Sequence, residues 1–212
     1  MMVMKVLMIG GTGTISSSIT KALSQREDVE LYLLNRGNNN NNLPENIKVL
    51  IGDINDEEKV RELIKDYHFD AVCNFLIYSH KQAESNIRLF KDKTDQFVFI
   101  STAVVYNREK AVVLNEGSEK YNSFSQYGRE KLLCEEIFLN AYKDTGFPIT
   151  IIRPTQTYDD KRIPLSVKGK GCYPVINRIK EGKEVIIHGD GTSTWVCTHS
   201  DDFAKAFIGL LG

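Results

Sequence analysis

Along this chain the apolar residues fall in short solid blocks, separated by longer stretches in which apolar and polar positions mix. Blocks over residues 3–9, 29–34, 47–51, 70–76, 96–100 and 148–153 read as strands. Solid apolar runs of this length, bounded by turn residues, suit strands covered on both faces. The mixed stretches over residues 15–23, 57–67, 82–90, 126–143 and 201–211 carry apolar residues at helical spacing. Strand and helix alternating at this rhythm predict right-handed βαβ units and a doubly wound parallel sheet, an α/β fold. Two shorter strands are expected at 185–187 and 194–198, and polar loops at 38–42 and 107–125. No internal repeat or linker divides the chain.

The first strand runs into Gly10-Gly11-Thr12-Gly13-Thr14-Ile15-Ser16 and then directly into a helix. That context gives a glycine motif meaning. Gly10 permits a tight turn with positive φ. Gly13 lets a diphosphate approach the backbone, and the free N–H groups at the start of the helix favour an anion. The fold is therefore expected to be Rossmann-type. Ser16 stands at the position where a third glycine would let helix and strand pack closely.

Totals narrow the field further. At 212 residues and a formal charge of -1, the chain has no basic excess that would argue for nucleic acid. Cys73, Cys134, Cys172 and Cys197 are widely spaced, which suggests reduced thiols and a cytoplasmic setting. No apolar run is long enough for a bilayer span, the start lacks the layout of a signal peptide, and no metal site is expected.

Ligands of such sheets lie beyond the carboxyl ends of the strands. Asn35-Arg36 ends the second strand, where an adenosine ribose would lie; an uncharged residue followed by a cation suits a 2′-phosphate, unless Arg36 is a solvated loop residue. Asp53 follows the third strand and is free to face a ligand if Asp56 caps the next helix. Thr102 follows the fifth strand. Tyr127 and Lys131 are four apart and share a helix face. An ammonium beside a phenol is expected to lower the phenol's pKa and make it a usable proton donor and acceptor.

The glycine turn, Ser101-Thr102 followed by Val105-Tyr106, the Tyr127-Lys131 pair, Arg153-Pro154, Gly189-Asp190-Gly191-Thr192 and His199 with Asp201-Asp202 together resemble the extended short-chain dehydrogenase/reductases, the NAD-dependent epimerase/dehydratase group. The resemblance covers nearly the whole chain. It implies NAD or NADP as cofactor, held by Gly10, Thr12, Gly13, Thr14 and Ile15 at the diphosphate, Asn35 and Arg36 at the ribose, Asp53 and Ile54 at the adenine, and Pro154 beside the nicotinamide. It implies Tyr127 as general acid/base, Lys131 as holder of the nicotinamide ribose, and Thr102 as hydrogen-bond partner of the reacting substrate oxygen. The implied activity is hydride transfer at a carbinol or carbonyl of a small sugar-like substrate, a sugar or nucleotide sugar, in an oxidoreductase, epimerase or dehydratase.

Under that resemblance, residues 1–160 form the NAD(P)-binding domain, and residues 161–212 complete it and begin a small C-terminal substrate lobe. The helix over 131–141 is a candidate homodimer seam. Departures from the family pattern are Ser16, the bulky pair Leu76-Ile77 where small residues are usual, Trp195 where the nucleotide-sugar enzymes carry an arginine, and an early end to the chain, which implies either a truncated chain or a minimal lobe. The stretch from Arg153 to Asp159 also resembles a branch near the chloroplast stem-loop RNA-binding proteins. That offers a non-catalytic, NAD(P)-responsive or RNA-binding alternative. Its nearest basic group, Lys161, Arg162, Lys168 and Lys170 with Tyr173, equally suits a solvated loop.

Overall fold

A computed structural model describes residues 3–38, 40, 43–110, 113–164, 173–187, 189–192 and 194–212. Cys172, Lys168, Lys170 and Asn39, Asn41 and Asn42 of the expected asparagine loop lie outside the described residues. Six parallel strands form the sheet: β1 (Met4–Ile9), β2 (Val29–Asn35), β3 (Lys48–Ile51), β4 (Phe69–Asn74), β5 (Thr94–Ile100) and β6 (Ile149–Ile152). Their spatial order is β3-β2-β1-β4-β5-β6. The winding reverses between β1 and β4, so the carboxyl ends of those two strands flank the crevice where such sheets bind ligands. In register, Ile9 lies beside Leu34 on one side and Asn74 on the other.

Both faces are covered, which is why the strands read as continuous apolar runs. On one face α1 (Ser16–Ser24) and α6 (Ser200–Ile208) bury Ile19, Leu23, Ala204 and Phe207 against Val6, Met8 and Val98. On the other, α2 (Glu57–Ile64), α3 (His80–Phe90) and α4 (Gln126–Thr145) bury Val60, Ala83, Phe90, Cys134 and Phe138 against Leu7, Ile9, Phe97 and Phe99. Local chemistry sets the element ends. The Asp56 side chain accepts the Lys59 N–H at the start of α2, as its position predicts. Gly146, at φ 72°, ends α4 in the left-handed conformation that glycine adopts without strain.

Residues 3–9 and 96–100 were legible as strands, and the expected strand at 194–198 and closing helix at 201–211 form over 197–199 and 200–208, but the stretch between them and β6 departs from expectation. No strand forms at 185–187. Instead β7 (Gln156–Tyr158) pairs with β8 (Cys197–His199) in a separate parallel ribbon, and α5 (Tyr173–Lys180) occupies a stretch with no helix expected. Ile186 and Ile187 are largely exposed, so their apolar character does not mark a buried strand here.

Candidate active site

Gly128 decides how α4 meets the end of β5. A Cβ at this position would lie 2.6 Å from the Val104 carbonyl oxygen and 3.1 Å from Val104 Cγ1. Only glycine lets the first turn of α4 rest on the 3-10 turn Ala103–Val105. Ser125 accepts the Gly128 N–H at 3.0 Å, and Asn122 donates to the same Val104 carbonyl at 3.0 Å. Sequence reasoning passed over Gly128, although it sits inside the tyrosine–lysine stretch.

This seating brings Thr102 and Tyr127 together. Thr102 leaves β5 in extended backbone and accepts the Val104 N–H at 3.2 Å. The nearby Thr102 hydroxyl favours ionisation of the Tyr127 phenol. Tyr127 is 45 % exposed as a residue, but the packing around its phenol works the other way and prevails, with the nearby Tyr78 phenol adding to it, so the Tyr127 pKa is raised. The expected lowering by Lys131 is therefore corrected: the ammonium is turned to the backbone, and partial burial of the phenol sets the direction. Lys131 is 2 % exposed, and its Nζ donates to the carbonyls of Ile77 at 2.5 Å and Ile100 at 2.8 Å. It sits 4.9 Å from the ring centroids of Tyr78 and Phe99 and 5.8 Å from that of Tyr127. Burial lowers its pKa to about 8.

Beneath these groups lies a buried ion pair that the sequence did not disclose. Glu135, fully buried, takes two hydrogen bonds from Arg153 at 2.8 and 2.7 Å and one from Ser101 Oγ at 2.5 Å. Arg153 also donates to the Tyr106 hydroxyl at 2.8 Å. Glu135 follows Lys131 by one helical turn, and that spacing was the available signal. The pair fixes the residue before Thr102, while the Pro154 carbonyl accepts the Ala103 N–H at 2.9 Å on the other side.

The glycine turn is closed by Ser16. Its hydroxyl donates to the Gly10 carbonyl at 2.6 Å and accepts the Gly13 N–H at 2.9 Å. A serine thus fits at the third position by bonding within the turn. Helix α1 begins at Ser16; its N-cap, Ile15, offers no side-chain hydrogen bond, and its first turn has no acidic residue. No acceptor among the described residues takes the Thr14 or Ile15 N–H. An uncapped helix end beside Gly13 suits a dinucleotide diphosphate, so the residues present fit the cofactor there.

The adenosine side is less open than its sequence suggests. Asn35 is committed to its own loop, accepting the Gly37 N–H at 2.8 Å and donating to Asn40 Oδ1 at 2.8 Å. Arg36 is exposed. Asp53 Oδ1 accepts from the Asn55 backbone and side chain at 3.0 and 2.9 Å. Buried Ile54 lines a cavity of about 180 Å³ with Leu76, Gln82 and Asn86.

The model of the NAD dependent epimerase/dehydratase family matches residues 6–94 and 87–212. The chain belongs to that family. A dTDP-D-glucose 4,6-dehydratase of Dictyostelium discoideum is 27% identical over 97% of this chain and 55% of its own length. A UDP-glucose 4-epimerase of Lactobacillus helveticus is 31% identical over 71% of this chain and 51% of its own. The chain spans about half the length of the curated relatives it matches. Among solved structures, the dTDP-glucose 4,6-dehydratase of Bacillus anthracis in complex with NAD superposes with a TM-score of 0.81 at 22% identity, covering 99% of this chain and 72% of that one. The UDP-glucuronic acid 4-epimerase of Bacillus cereus, in complex with UDP-glucuronic acid and NAD, does so at 0.80 and 23% identity, covering 98% and 73%. Family members of this kind use NAD, and the fold here is theirs.

Proposed function

We propose that the chain carries the dinucleotide-binding and catalytic part of an NAD-dependent epimerase or dehydratase acting on a sugar nucleotide, with Thr102, Tyr127 and Lys131 as its catalytic set. The observation that carries the reading is the seating of α4 through Gly128, which sets Tyr127 against Thr102 at the carboxyl end of β5. Residues 1–160 hold the dinucleotide and residues 161–212 begin the substrate lobe.

Each group has a distinct task. The α1 end and Gly13 receive the diphosphate, with Thr12, Thr14 and Ile15 along it; Asp53 and Ile54 border the adenine, Asn35 and Arg36 the ribose, and Pro154 the nicotinamide side. NAD supplies reversible hydride uptake at a sugar carbon. Thr102 accepts or donates a hydrogen bond at the reacting oxygen, and Tyr127 exchanges the proton with it. Because burial raises its pKa, Tyr127 rests as the neutral phenol, the form that donates. Lys131 holds positive charge under both phenols and, once a ribose displaces a backbone carbonyl, can donate to it.

The test is turnover of UDP-glucose and dTDP-glucose with added NAD, read as product by NMR. Wild type should convert at least one of them. Tyr127→Phe should lower the rate by about a hundredfold or more, the usual contribution of a positioned acid/base. Undiminished turnover in that variant would remove Tyr127 from the chemistry.

A further inference from the structure

One side chain covers part of the glycine turn. Gly10, at φ 81°, ends β1 and opens the glycine turn. The space that its missing side chain leaves is already filled: a Cβ on Gly10 would meet Leu76 Cγ at 2.7 Å and Leu76 Cδ2 at 2.9 Å. Gly13 differs, because a Cβ there would meet nothing nearer than Ser16 Oγ at 3.4 Å. The α1 end of the turn is therefore open, and its β4 side is covered by leucine. Leu76 also lines the cavity beside Ile54.

The backbone around Leu76 is fixed. Its N–H donates to Asn74 Oδ1 at 2.8 Å, and Asn74, 1 % exposed, donates in turn to Asn86 at 2.7 Å. The Phe75 N–H donates to the Ile9 carbonyl at 3.0 Å. The next residue, Ile77, offers its carbonyl to Lys131. With the main chain held on both sides, clearance over Gly10 can come only from the leucine side chain. Leu76 is 36 % exposed and so has solvent to turn into.

We infer that Leu76 is the residue that sets dinucleotide affinity in this protein, by covering the Gly10 face of the turn in its resting rotamer and having to leave it before a diphosphate can lie there. The inference rests on the proposal that the chain binds NAD. A binding-competent state that is only partly populated weakens the apparent affinity by that fraction. Removing the leucine removes the competition, and enlarging it strengthens the competition.

The experiment is calorimetric titration of NAD into wild type, Leu76→Ala, Leu76→Met and Leu76→Phe, each checked for cooperative unfolding. Leu76→Ala should bind about tenfold more tightly than wild type, the scale of a state populated one part in ten. Leu76→Met, which conserves volume, should match wild type, and Leu76→Phe should bind more weakly. If wild type binds NAD and Leu76→Ala binds no more tightly, or Leu76→Phe no more weakly, the role of Leu76 is refuted while NAD binding stands. If no protein in the series binds NAD, the NAD proposal itself fails, and this inference with it.

Discussion

At the scale of single residues, Lys131 carries the most testable chemistry. Burial lowers its pKa to about 8, while an unfolded lysine holds its proton to about 10.4. Between those values the unfolded chain binds more protons than the folded one, so this group makes stability rise with pH. Below that window the folded state bears the full cost of a buried ammonium. Cys134 works in the opposite sense: burial pushes its thiol up to about 11, and the unfolded thiol ionises first. The informative quantity is therefore the difference between wild type and Lys131→Met in urea unfolding. Wild type should gain on the variant by on the order of 2 kcal/mol between about pH 8 and pH 10. A difference that stays constant over that range would show that the ammonium is not buried. The identities of Lys131 and Tyr127, and their shared helix face, were legible in the sequence. The direction of the Tyr127 shift was not, because spacing reveals a neighbour but not that Lys131 turns inward to backbone carbonyls.

At the scale of elements, α4 is placed by an absence of side chain rather than by an apolar stripe. Gly128→Ala would push a methyl to 2.6 Å from a backbone carbonyl, and neither the 3-10 turn nor α4 can yield without moving. The variant should lose about 1–3 kcal/mol in chemical denaturation, the ordinary cost of overpacking. Gly146→Ala is a different case, since nothing lies within 4 Å of its Cβ position and its cost comes from φ 72° alone. Stability unchanged in Gly128→Ala would mean that α4 does not rest on residues 103–105. The six main strands were readable because both faces of a parallel sheet are dry. Of the ribbon, β8 overlaps the strand expected at 194–198, but β7 was not readable, since it has three residues and gains its order from pairing across the chain rather than from its own pattern. The Glu135–Arg153 pair escaped for a similar reason. A glutamate on a helix reads as a solvated face until the fold closes over it, and Arg153 lies 18 residues away.

At the scale of the whole molecule, two dry cores on either side of one sheet leave the carboxyl ends of β1, β4 and β5 as the place where chemistry can be held. The proposed set of Thr102, Tyr127 and Lys131 comes from the end of β5 and the start of α4, whereas Asn35 and Asp53 are bonded into their own loops. α4 leaves Leu133, Leu139 and Tyr142 exposed along its length. The candidate homodimer seam over residues 131–141 would cover the two leucines, so sedimentation velocity should give a dimer, and a monomer at high concentration would contradict that seam. None of the described helices is long and apolar enough to cross a membrane.

The central claim is that a neutral phenol at Tyr127 serves hydride exchange between a sugar nucleotide and NAD. Rapid mixing of the NAD-loaded protein with UDP-glucose or dTDP-glucose, followed by NADH fluorescence, tests it most directly. Wild type should show a transient rise with one of these sugars, and Tyr127→Phe should show it slowed by about a hundredfold or more. Saturation with NAD but no rise with either sugar, or an equally fast rise in Tyr127→Phe, would contradict the account.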